Sequence, residues 1–260
     1  MLRLVRPMTA LTITLLVLAG CAGGTTADAS QSDAAPSEAG AAAPSDAPPS
    51  QSAAVESAAP SIAGATCPAG SDEEGRTCQV VLATSNIFGA GHAVAPDPAD
   101  GGPGSVPPVW EVPEGATHMV VTEAVGTVAP VPSASGNGPE GSGTSLGLST
   151  DINSYGGISG IVDRTNAMFL VGVFLNDEEP MEGDHPERLG FTDKEDFTEL
   201  APLIGQTFFV GDGQGKTFVI PEGATRLFLG FADAFDVHGD PGWYGNNSGQ
   251  LAVTVEFAGQ

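Results

Sequence analysis

Leu251-Ala252-Val253-Thr254-Val255-Glu256-Phe257 alternates large apolar side chains with small or polar ones. Leu251, Val253, Val255 and Phe257 therefore share one face, the period of a half-buried strand. Just upstream, Thr217-Phe218-Val219-Ile220 and Arg226-Leu227-Phe228-Leu229-Gly230-Phe231 read as two more strands, joined by Pro221-Glu222-Gly223-Ala224. Proline and glycine each suit a turn through their backbone limits. A similar turn, Pro113-Glu114-Gly115-Ala116, separates apolar runs at 109–112 and 118–125. The repeated phrase fits two equivalent edges of one sandwich, and fits favourable turn chemistry alone equally well. Residues 167–175 are nearly all apolar between Asn166 and Asn176, which suits a central strand buried on both faces. Long amphipathic helices are absent, and 193–200 offers one short helical turn at most. Short strands punctuated by 36 glycines and 21 prolines predict an all-β chain, a β-sandwich.

The N-terminus has a different composition. Arg3 and Arg6 precede an apolar run at 8–18, which ends in Leu18-Ala19-Gly20-Cys21. The run is too short to cross a bilayer, which takes about 20 apolar residues, and fits a secretory signal. Its end resembles a bacterial lipobox, and the resemblance implies a signal peptide at 1–20 and a lipidated Cys21 that holds the protein at the cell membrane. Residues 21–66 follow as an Ala/Ser/Pro-rich tether without lysine, arginine or aromatic residues. Such a stretch cannot bury enough apolar surface to offset its ordering entropy, and as a flexible coil it reaches about 35–40 Å. Residues 67–260 form the expected domain, with an acidic surface insertion at 176–199. Cys67 and Cys78 remain as a pair outside the cytoplasm and predict a disulfide across a short loop. They lack the CxxC spacing or clustered histidines of a redox or metal site.

The formal net charge is −24. That excess repels nucleic acid and anionic lipid and otherwise serves solubility.

Ahead of the last strand lie Phe231-Ala232-Asp233 and Pro241-Gly242-Trp243-Tyr244-Gly245-Asn246-Asn247-Ser248-Gly249. Carboxylate, Asn carbonyl and backbone carbonyl oxygens are the donors that Ca²⁺ prefers. These phrases resemble the calcium and sugar loop of the bacterial calcium-dependent galactose lectins. Asn86-Ile87-Phe88-Gly89-Ala90-Gly91-His92, Gly138-Pro139-Glu140-Gly141 and Phe209-Val210-Gly211-Asp212-Gly213 extend the resemblance in order over roughly residues 84–260. It implies a jelly-roll-type, galactose-binding-domain-like sandwich. It also implies calcium held by Asp233, Asn246, Asn247, the Trp243 carbonyl and a second carbonyl near residues 128–130. Sugar hydroxyls would complete the shell against Asp233 and Asn247. Two departures follow from the residues. The stretch 234–242 is longer than in the compact lectins, so Asp236 or Asp240 can join or displace Asp233. The lectins' sugar-gripping His and Gln have no counterpart in 142–155. Tyr155 or Trp243 either offers a flat face to a sugar ring or simply packs against the loop.

Enzyme motifs fail on context. Gly143-Thr144-Ser145-Leu146-Gly147 matches a nucleophile elbow but lacks the strand-to-helix turn that motif needs. The stretch 211–217 is one residue short of a phosphate loop. Asp151-Ile152-Asn153-Ser154-Tyr155-Gly156 opens like an EF-hand, but Val162 stands where Glu is required. His92, His118, His185 and His238 are dispersed, and scattered acids do not single out a hydrolase pair. The expectation is a non-enzymatic, extracytoplasmic lipoprotein whose domain binds a glycan or surface polysaccharide through Ca²⁺. The alternative is a structural or adhesion domain in which calcium only stabilises the loop.

Overall fold

The computed structural model describes residues 64–68, 75–143 and 149–259. The signal segment, Cys21, most of the tether and the Ser of the Gly143–Gly147 motif lie outside the described residues. The chain divides into units Met1–Val55 and Glu56–Gln260, and every described residue belongs to the second.

That unit is all-β, a sandwich of 13 strands in three sheets among the described residues. The strands are β1 (Arg76–Leu82), β2 (Val109–Glu111), β3 (His118–Ala129), β4 (Thr150–Ile152), β5 (Ile161–Asp163), β6 (Val171–Leu175), β7 (Leu189–Gly190), β8 (Glu199–Leu200), β9 (Phe208–Phe209), β10 (Thr217–Val219), β11 (Arg226–Gly230), β12 (His238–Gly239) and β13 (Ser248–Ala258). The sheet orders are β1-β13-β3-β10-β8, β2-β11-β6-β9 and β12-β4-β5-β7. One continuous core draws on all three, with Phe208, Phe209, Phe218 and Trp110 fully enclosed. Each such side chain stabilises the fold by about 1.5–3 kcal/mol through burial.

The alternating stretch lies in β13, with Leu251, Val253 and Val255 inside. Its other face is not open as alternation predicts: Ala252 and Thr254 are buried too. Residues 64–68 account for this. The Gln250 side-chain amide donates to the Ala65 carbonyl at 2.8 Å, and Cys67 is bonded to Cys78, which is registered opposite Thr254. The expected disulfide is present.

Three expectations need correction. The apolar run 167–175 is strand only over Val171–Leu175, because Met168 sits at φ 55° and the Leu170 amide donates to Pro139 in a loop. The stretch 193–200 holds no helical turn: Asp193 is at φ 56°, and Glu199–Leu200 pairs parallel to β10. Residues 176–199 are exposed at most charged positions, yet they carry β7 and send Phe191 and Phe197 to the core.

The two similar turns are related to one another. The Val112 amide donates to Thr225 at 2.8 Å, and the Ile220 amide donates to Thr117 at 2.9 Å. Correspondingly β2 pairs with β11 while β10 pairs with β3. Each strand–turn–strand arch thus crosses from one sheet to the other, and the pair interlocks about a local twofold to close that edge.

Candidate functional site

The chain leaves β11 at Gly230 and re-enters β13 at Ser248. Tyr244, fully buried, ties the two ends together. Its hydroxyl accepts from the Asp233 amide at 2.9 Å and donates to the Phe231 carbonyl at 3.1 Å. Trp243 sits at φ 69°, a conformation that costs a non-glycine residue energy. It is braced from outside: its amide donates to the Asp100 carbonyl at 3.0 Å, and the Ala99 amide donates to Pro241 at 3.2 Å.

Asp233 is 3% exposed. Its Oδ1 accepts from the Ala234 amide at 2.8 Å, and its carboxyl also meets the Asn247 side chain. Burial pushes its pKa up to about 7, against the lowering effect of the Asn247 and Ala234 hydrogen bonds. The Asn247 amide nitrogen donates to the Ala83 carbonyl at 3.1 Å. The side-chain carbonyl oxygens of Asn246 and Asn247 are both buried without a hydrogen-bond partner. An unsatisfied buried acceptor costs about 1–3 kcal/mol, so two side by side in sequence ask for a cationic or donor partner.

Asp233, Trp243 and Asn246 line one cavity of about 190 Å³, together with Pro130, Val131, Ala234, Phe235, Asp236 and Val237. The cavity reaches Pro130 and Val131, just past the end of β3. Within 128–130 the Val128 carbonyl is taken by the Asn137 amide at 2.7 Å, whereas Pro130 stands at the cavity. Asp236 lines it as well, but Asp240 is turned to Asn153 at 2.8 Å. Tyr155 packs against the core and does not line this cavity. Phe235 and Val131 were not singled out by sequence reasoning, since a lone exposed Phe in a loop carries no pattern. Among the described residues no three His, Cys, Asp or Glu side chains converge as a metal cluster. Any ion here depends on one or two carboxylates and neutral carbonyl oxygens, a donor set that fits Ca²⁺ and not the softer metals.

The other motifs acquire structural explanations. The phosphate-loop-like stretch is filled by a carboxylate: Glu140 accepts from the Asp212 amide at 2.6 Å and stands 3.5 Å from the buried Lys216. Burial holds the Glu140 carboxyl above its ordinary range. His92 is fixed between Gly156 and Glu179, at 2.8 and 3.1 Å. No helix among the described residues is long and apolar enough to cross a membrane.

Comparison with protein-family models finds no match, and comparison with curated proteins finds none.

Proposed function

We propose that this chain is an extracytoplasmic lipoprotein, anchored through Cys21, whose sandwich domain binds carbohydrate through Ca²⁺. The observation that carries the reading is one small cavity lined by Asp233, Asn246, Trp243 and Pro130, beside which Asn247 meets the Asp233 carboxyl and the Asn246 and Asn247 side-chain carbonyl oxygens are buried without a partner. Asp233, Asn246, Asn247 and the Trp243 carbonyl would hold the ion, with Pro130, just past the end of β3, as the second carbonyl. Bound there, Ca²⁺ supplies a Lewis-acidic surface on which vicinal sugar hydroxyls replace water. The residues of the chain fix the donors in advance: Tyr244 clamps Asp233, and Asp100 braces Trp243. Few charged donors place the affinity with extracellular calcium modules, at about 10⁻⁴–10⁻³ M.

The test is thermal melting of the full chain in EDTA, in Ca²⁺, and in Ca²⁺ with simple sugars. A ligand selective for the folded state raises the midpoint by mass action. The expected result is a rise with Ca²⁺ that Asn246→Ala abolishes, and a further rise with one sugar. A calcium response without any sugar response favours the structural or adhesion reading. No response to Ca²⁺ removes both.

A further inference from the structure

We infer that Phe235 is the specificity-determining contact of this site, an apolar shelf for a single terminal pyranose that presents a continuous C–H face. The inference rests on the calcium-dependent reading above.

Phe235 is 58% exposed although it is a large aromatic residue, and it lines the same cavity as Asp233, Trp243 and Asn246. Its ring lies 5.1 Å from that of Trp243 at an interplanar angle of 58°, so the two make a bent apolar wall. The segment bearing it is not a slack loop. Asp236 and Val237 follow at φ 51° and 58°, a region that a β-branched residue rarely enters. Such strain persists only where the surroundings over-determine it. They do so here: Val237 is buried in the core and its amide donates to Ala234 at 3.0 Å. His238 and Gly239 pair with β4, and Ala234 bridges Pro241. The fold thus fixes a strained backbone that holds a phenyl ring in solvent, where its one ring contact among the described residues is Trp243.

The cavity of about 190 Å³ is smaller than the roughly 300–1,000 Å³ of sites for drug-sized ligands, so it suits one sugar ring. A pyranose carries hydroxyls along its edge and C–H groups on its face. Asp233 and Asn246 are polar residues of the cavity lining, and Phe235 and Trp243, whose rings are in contact, are its aromatic ones. C–H groups, slightly positive, are attracted to the negative face of an aromatic ring. A phenyl ring has no polar handle, so it selects the shape of the sugar face and makes no hydrogen bond. This stacking is the second anchor beside the ion.

The experiment uses the full chain as wild type, Phe235→Ala and Phe235→Tyr. Tb³⁺ luminescence sensitised by Trp243 reports the cation site. Calorimetry at saturating calcium with methyl galactoside, methyl glucoside and methyl mannoside reports the sugar. Phe235→Ala is expected to weaken the best glycoside roughly tenfold, the scale of a lost aromatic contact. It should leave Tb³⁺ binding unchanged, and Phe235→Tyr should restore the affinity. Unchanged glycoside affinity in Phe235→Ala overturns the shelf while leaving the calcium reading intact. Loss of Tb³⁺ and sugar together makes the ring structural and also overturns it. A changed sedimentation coefficient with unaltered sugar binding assigns the ring to self-association. A wild type that binds Tb³⁺ but no glycoside, or binds neither, removes the underlying reading and the shelf with it.

Discussion

Asp233 is a buried carboxylate whose pKa stands near 7 without a bound ion. An unfolded Asp titrates at about 3.9. Between these values the folded chain holds a proton that the unfolded chain has released. Stability therefore falls as pH rises through this window, the reverse of an ion-paired Asp. Tyr244 raises no competing titration here, since burial and the Asp233 charge push its hydroxyl further above its ordinary range. In EDTA the protein is expected to melt at a higher temperature at pH 5 than at pH 8, and Asp233→Asn should flatten that difference. A parent profile that rises across the same window would contradict the buried, metal-free carboxyl. Asn246 behaves differently, because its carbonyl oxygen satisfies nothing within the chain. In EDTA, Asn246→Ala should be neutral or slightly stabilising, within about 1 kcal/mol by urea unfolding, and it should lose the calcium response. A large loss in EDTA would mean that the side chain is needed for the fold itself.

At the scale of elements, the interlocked arches explain why one phrase occurs twice. Each turn needs a left-handed glycine, Gly115 at φ 82° and Gly223 at φ 83°. A Cβ at Gly115 meets nothing, and one at Gly223 meets only Ile204 at 3.8 Å. Space is thus not the constraint; backbone conformation is. Gly115→Ala and Gly223→Ala should each destabilise by about 1–2 kcal/mol, and by nearly equal amounts, measured by urea unfolding of the full chain. Unequal losses would show that the two arches carry different loads despite their reciprocal hydrogen bonds. The same edge joins the two main sheets through β2–β3 and β10–β11, so m-values should stay constant as the midpoint falls.

At the scale of the molecule, the sandwich was legible wherever side-chain periodicity carried it. Leu251, Val253 and Val255 announce their strand because a period of two has a single structural meaning. Met168 shows the limit: an apolar run records burial but not the backbone angle that ends a strand early. Of the cavity lining, Asp233, Trp243 and Asn246 are legible in the order of their phrases, Asn247 and Tyr155 stand outside it, and Phe235 leaves no pattern in the sequence. The loop is braced by Asp100 and shares its cavity with Pro130, both more than 100 residues away from it in sequence. The outer face of β13 was equally hidden, because its cover comes from the segment 64–68. That cover is held twice, by the Cys67–Cys78 bond, which joins residues 11 apart, and by Gln250 on Ala65. A disulfide contributes about 2–4 kcal/mol by restricting the unfolded chain, and one hydrogen bond about 0.5–1.5 kcal/mol. If the bond also docks the segment, the two contributions are coupled. Gln250→Ala should then weaken the oxidised parent by about 1 kcal/mol and have almost no effect on a Cys67→Ser, Cys78→Ser background. Urea unfolding of the four proteins gives the coupling directly. Strict additivity would mean that 64–68 stays docked on β13 without the disulfide, and that the bond acts on the unfolded chain alone.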